Sequence, residues 1–219
     1  MQSIEKEEKN IGACTDLEEN KKSRKIDFKK RFSAKRLALM AVFTALAFVI
    51  SLLELPPLFP AVPFLKLDFG NVFILLISFL LGPVEGVLVC ALKEGMRVLF
   101  GLSLTSGVGE LANVFITIAY ILLPSIVYRY KKGLKVVMLC LLGACVIGTL
   151  TALMVNRLII FPAYALAFGG NIIGRTVEQA FAEWWGILLA FNIIKTVSIS
   201  VLSLLLYKRL SVFLRKIKI

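Results

Sequence analysis

Histidine is absent from this chain, which removes the commonest metal ligand and the commonest general base at once. The four cysteines do not compensate. Cys14 sits in a polar stretch, Cys90, Cys140 and Cys145 lie inside apolar runs, and no spacing matches a zinc site or a disulfide framework. They read as small buried residues in a reducing or lipid-embedded setting. There are no paired aspartates, no Gly-x-Ser-x-Gly elbow and no phosphate-binding Walker loop. An intramembrane hydrolase therefore lacks its parts, and any use of ATP falls to partners. The expectation is a protein that is not an enzyme, with no metal and no cofactor of its own. A cleavable leader is not expected either. The polar stretch before the first apolar run is about 36 residues long, and no small-x-small site follows that run before the charged loop.

Long apolar runs are what the chain does have. Apolar residues make up 58% of it and its mean hydropathy is +0.86, against roughly 45–50% apolar residues in a soluble domain. Each run competes for a bilayer crossing of about 20 residues. The net charge of +12 is concentrated at three places: residues 1–36 hold eleven Lys/Arg, 129–135 hold four, and the tail from Lys208 holds five, out of 26. Each patch flanks an apolar run, which is the pattern of basic residues kept on the cytoplasmic side. Nucleic-acid binding would want aromatics interleaved with the basic residues, and Phe28 and Phe32 alone do not supply that. The basic N-terminal stretch also suits an anionic lipid surface.

Six spans are expected, at 34–53, 70–81, 83–99, 109–128, 136–160 and 184–207. With both basic ends inside, the 129–135 loop also falls inside, and the loops at 54–69, 101–108 and 161–183 fall outside with only Lys66 and Arg175 as cations. The predicted fold class is therefore all-α, an integral membrane six-helix bundle with cytoplasmic N- and C-termini. Residues 1–33 form a mostly disordered basic tail, 34–210 the membrane domain and 211–219 a second basic tail. The localisation that follows is multi-pass in a prokaryotic plasma membrane. Gly82-Pro83 marks the tip of a hairpin between the second and third spans. Pro56, Pro57, Pro60 and Pro63 stiffen an apolar loop that suits a lid or pocket wall. A short helix is expected around 176–182 within the otherwise mixed 161–183 loop.

Lys195 is the sharpest anomaly, a cation inside the last apolar run, with Asn192 one helical turn before it on the same face. Such a group costs roughly 2.5–3.5 kcal/mol to insert and marks a functional site by default. The topology gathers Lys66, Asp68, Glu110, Asn113, Asn156, Asn192 and Lys195 toward one side. Phe64, Phe69, Tyr164 and Trp184 are the candidate flat walls of an outward pocket for a small molecule with hydroxyls and carbonyls. The ligand, Glu110 or water is expected to satisfy Lys195. Two readings stand for Lys93, Glu94 and Arg97: charge compensation or a pocket role. Two also stand for the Ala34, Ala38, Ala41, Ala45 face: a helix contact surface, or alanine that is simply common in membrane helices.

Several short motifs occur in order: Phe64-Leu65-Lys66-Leu67-Asp68-Phe69, then Gly82-Pro83 with Gly86, then Val108-Gly109-Glu110-Leu111-Ala112-Asn113, then Asn192 with Lys195 and Leu206-Tyr207-Lys208-Arg209-Leu210. Over about residues 37–212 the chain resembles the substrate-binding S components of energy-coupling factor (ECF) vitamin transporters, most closely the riboflavin-specific branch. Three positions depart from that branch's usual pattern: Gly70-Asn71 after the Asp68 loop, Glu94 after Lys93, and Thr196 after Lys195. The resemblance implies an ECF transmembrane coupling protein and two ABC ATPase subunits as partners, with riboflavin as transported ligand. It implies that Ala41 and Ala45 dock on the coupling protein, that Leu65 to Asp68 form the outer lid, and that Asn156, Asn192 and Lys195 touch the ligand. The alternatives are an S component for another vitamin and a stand-alone permease. No clear internal repeat favours the permease.

Overall fold

The computed structural model describes residues 33–53, 57–62, 65–103, 107–131, 134–167, 172 and 174–214, with side chains at all of these but 134 and 208–214. Residues 1–32 of the basic tail, Pro56, Pro63 and Phe64 of the proline loop, and the last five residues lie outside the described residues. Met40–Lys218 forms one compact unit, and the architecture below belongs to it.

Six helical rods account for the described chain: α1 (Ala34–Leu52), α2 (Gly70–Leu80), α3 (Pro83–Leu99), α4 (Val108–Tyr130), α5 (Leu134–Val155) and α6 (Val177–Leu214). α5 continues without a break through a π-helical turn, Asn156–Ile160, into a last α-helical stretch, Phe161–Ala167. Among the described residues the only β pairing is an isolated bridge between Ile172 and Arg175.

α2 is the most deeply buried rod, packed against α3, α4 and α6. It has no polar stripe, and Val72, Ile74, Leu75, Leu76 and Ile77 are all buried, as a helix apolar on every side requires. Small residues let it sit so deep. A Cβ on Gly70 would lie 2.3 Å from the Ala47 carbonyl oxygen of α1, and one on Gly86 would lie 2.6 Å from Ser78 Cβ. Both contacts are backbone-close, the packing that membrane helices use in place of a hydrophobic driving force. The predicted hairpin turn is present: Gly82 adopts φ 132°, a region that favours glycine, and Pro83 opens α3. Large apolar side chains such as Leu139, Leu142, Leu150, Met154 and Leu205 face outward.

Four rods are long and apolar enough to cross a bilayer: 34–52, 108–130, 135–166 and 177–207. α2 has 11 residues, about 16 Å at 1.5 Å per residue, or half of a ~30 Å hydrocarbon core. The two outermost predicted boundaries also move. The expected loop 161–183 is mostly helical, because α5's rod runs to Ala167 and α6 begins at Val177. A reciprocal capping box starts α6: the Gln179 N–H donates to Thr176 Oγ1 at 3.3 Å, and the Thr176 N–H donates to Gln179 Oε1 at 3.2 Å. Asn192 and Lys195 are thus 15 and 18 residues into α6 rather than eight and eleven, about 22–27 Å from its start.

Candidate functional site

A cavity opens at the end of the bundle where α2 and α4 begin, with a volume of about 150 Å³. This is smaller than the about 300–1,000 Å³ of most small-molecule sites. Its lining comes from every rod but α2: Ser51 of α1, the 65–68 loop, Glu94 and Arg97 of α3, Glu110, Ala112, Asn113 and Ile116 of α4, Asn156, Ile160 and Tyr164 of the α5 rod, and Phe191, Asn192 and Lys195 of α6. The nine residues predicted for substrate, Leu65, Lys66, Asp68, Glu110, Asn113, Asn156, Tyr164, Asn192 and Lys195, all lie on this one surface.

The π turn brings the α5 residues in. It puts one extra residue into a turn, so that the Phe161 N–H bonds back to the Asn156 carbonyl. Asn156, Ile160 and Tyr164 then share the cavity side. The two buried asparagines are held alike. Asn156 Nδ2 donates to the Ala152 carbonyl at 2.7 Å, and Asn192 Nδ2 donates to the Leu188 carbonyl at 2.8 Å. Each amide thereby keeps its carbonyl oxygen and one N–H for another partner.

A chain of charged contacts crosses the base of the cavity. Lys93 Nζ meets Asp68 Oδ2 and lies 2.7 Å from Glu94 Oε1. Asn113 Nδ2 donates to the same Glu94 oxygen, and Lys195 Nζ donates to Asn113 Oδ1 at 2.8 Å. Asp68 Oδ1 also accepts the Gly70 N–H at 2.8 Å, so it satisfies an orphan donor at the start of α2. Burial alone would push the Asp68 carboxyl up, but the Lys93 ammonium, the Lys195 charge and the Gly70 N–H hold it below the usual carboxylate range.

Lys195 therefore has a protein partner that the sequence did not name. Glu110 is occupied elsewhere: Ser103 Oγ donates to it at 2.6 Å, and Arg97 Nε lies 3.9 Å away. Arg97 also donates to the Ser51 carbonyl at 3.0 Å, tying α3 to the end of α1. Both open readings of the third span hold together, since Glu94 and Arg97 compensate charge and line the cavity. Of the aromatics, Tyr164 lines it, whereas Phe69 and Trp184 do not. Trp184 is buried against Phe161, with Arg175 over its ring. Phe191 lines the cavity and was missed; its i, i+4 spacing to Lys195 was the available signal. Ala41 and Ala45 are exposed on α1, away from the cavity lining.

An all-α membrane protein with one end hollowed into an apolar-walled, amide- and charge-bearing cavity belongs to the class of small-molecule-binding membrane subunits. More narrowly, the chain belongs to the family of ECF transporter substrate-specific components, whose model matches residues 35–207. It is similar to the riboflavin transporter RibU of Staphylococcus aureus (strain TCH60), 32% identical over 184 residues, covering 84% of this chain and 94% of that one. It is also similar to the riboflavin transporter FmnP of Bacillus subtilis (strain 168), 28% identical over 178 residues, covering 80% and 92%. A solved structure reported as the S component of a bacterial ECF transporter matches the fold with a TM-score of 0.66 at 31% identity, covering 82% of this chain and 97% of that one.

Proposed function

We propose that this protein is the riboflavin-capturing subunit of an ECF-type ABC importer. The observation that carries the reading is the meeting of Asn156, Asn192 and Lys195 with Tyr164 and Phe191 on one cavity, in a chain similar to two riboflavin transporters. A flavin presents a flat ring edged with carbonyls and ring nitrogens, together with a polyol. Aromatic and aliphatic walls suit the ring faces, and amides with an ammonium suit its edge. Asp68, Glu94, Arg97 and Glu110 suit hydroxyls, which both donate and accept.

In this reading the cavity faces outward, both basic tails (1–33 and 211–219) are cytoplasmic, and the subunit sits in a prokaryotic plasma membrane. Riboflavin is cargo rather than cofactor, and the chain does no catalysis. Ala41 and Ala45, exposed on α1, form the face that docks on a transmembrane coupling protein driven by two ABC ATPases. Small exposed residues one turn apart suit close helix contact.

Purification in detergent followed by riboflavin titration, read by flavin fluorescence quenching, is the direct test. A yellow preparation or saturable quenching is expected. A colourless protein that takes up no added flavin removes the flavin assignment. Ala41→Trp is expected to keep riboflavin binding and to lose capture by the coupling complex; retained capture removes the docking assignment.

A further inference from the structure

We propose that Lys93 is a positioning residue for ligand binding, holding the 65–68 loop through Asp68 and setting Lys195 through Glu94 and Asn113. The proposal rests on the flavin reading of the cavity. Lys93 is 0% exposed and is absent from the cavity lining, so it does not touch the ligand. Its ammonium instead joins two carboxylates on different parts of the chain, Asp68 before α2 and Glu94 on α3.

The consequence runs through one amide. Asn113 faces Glu94 with its nitrogen and Lys195 with its oxygen. Turned over, it would set an oxygen against a carboxylate and two N–H donors against an ammonium, a mismatch at both ends. The Glu94 charge therefore decides which way the amide lies, and Lys93 holds that carboxylate in place. With one N–H fixed on Asn113 Oδ1, Lys195 keeps two donors for the cavity that it lines. At the other end, Asp68 Oδ1 is fixed on the Gly70 N–H while Oδ2 meets Lys93. The loop that carries Leu65 and Lys66 and the base of the cavity thus share one cation. A purely structural role, charge compensation within lipid, would make no such link between Lys93 and Lys195.

The test is a double-mutant cycle on riboflavin affinity in the full chain, with Lys93→Met, Lys195→Met and the double variant. The thermal transition without ligand is recorded for each. Both single variants are expected to bind more weakly, and the double variant should lose less than the product of the singles, with a coupling of about five-fold or more. The absorption band of flavin bound to Lys93→Met should shift in the same direction as in Lys195→Met, because Lys195 is no longer held. Multiplicative losses, or an unchanged Kd in Lys93→Met, overturn the proposal while leaving the flavin reading intact. No riboflavin binding by the wild type overturns both. If Lys93→Met does not fold, Lys93→Gln, neutral but still a donor, enters the same cycle. If neither folds, Lys93 is a scaffold residue and the proposal falls.

Discussion

Both ends of the bundle bury polar groups, and they do it in different ways. At the cavity end Asp68, Lys93, Glu94, Asn113 and Lys195 are joined across a loop and three helices. From mid-bundle to the opposite end the buried groups are neutral apart from Glu85, a first-turn carboxylate that the start of its own helix favours. Tyr120 Oη is 2.6 Å from Ser200 Oγ, Ser200 donates to the Thr196 carbonyl at 2.8 Å, and Ser125 donates to the Ile121 carbonyl at 2.6 Å. Phe79, Tyr128 and Tyr207 close that end with ring centroids 5.1–6.0 Å apart, and the two tyrosine hydroxyls are in contact. A serine or threonine inside a helix can use the carbonyl one turn back. A charge cannot, and it recruits groups from other elements. In a membrane bundle, then, polarity alone does not mark a site. Charge that its own helix cannot satisfy does.

The comparison breaks most visibly at Lys195. Lys195→Met is expected to weaken riboflavin binding by about 10–150-fold, the loss of a charged hydrogen bond worth 1.5–3 kcal/mol. The ligand-free thermal transition should change little, because Asn113 loses only one partner. Affinity within two-fold of the wild type would show that the charged chain is scaffold rather than site. Asn192→Leu comes next, at about 2–12-fold weaker binding for a neutral hydrogen bond of 0.5–1.5 kcal/mol. In the neutral middle of the bundle Tyr120→Phe should do the reverse. It costs about 1 kcal/mol of stability, since Ser200 keeps its Thr196 partner, and leaves Kd unchanged. A loss of affinity there would mean that the neutral hydroxyl cluster senses the ligand.

The same distinction explains what could be read in advance. A lysine or an amide in an apolar run has no inexpensive local explanation, so the cavity residues stood out one by one. Gly82-Pro83 was equally legible, because a positive φ followed by a residue without an N–H fits few other structures. The partner of Lys195 was not, since Asn113 is 82 residues away and only the shared packing of α4 and α6 on α2 and α5 brings them together. No residue type signals the π turn at Asn156–Ile160, which the apolar run passes through unchanged. The capping box of Thr176 and Gln179 was present in the sequence, but Gly169, Gly170 and Gly174 around it argued for loop and moved the α6 start seven residues too late. Trp184 and Phe69 show the limit for aromatics, whose pattern is the same in a core as in a pocket wall.

Ser125→Ala tests the comparison at its weakest point. Ser125 is buried, and its hydroxyl bonds only to its own helix, to Ile121 at 2.6 Å and Leu122 at 3.2 Å. In a continuous helix the Ile121 carbonyl already accepts the Ser125 N–H. Removing the hydroxyl therefore takes away an additional bond and orphans neither carbonyl. Back-bonding of this kind slightly destabilises and bends helices, so the change is expected to fall within about 0.5 kcal/mol of neutral, with riboflavin affinity unaltered. Thermal unfolding in detergent and the same fluorescence titration read both. A destabilisation comparable to Tyr120→Phe would mean that helix hydroxyls do more than satisfy themselves. The contrast between the two ends would then be one of charge alone.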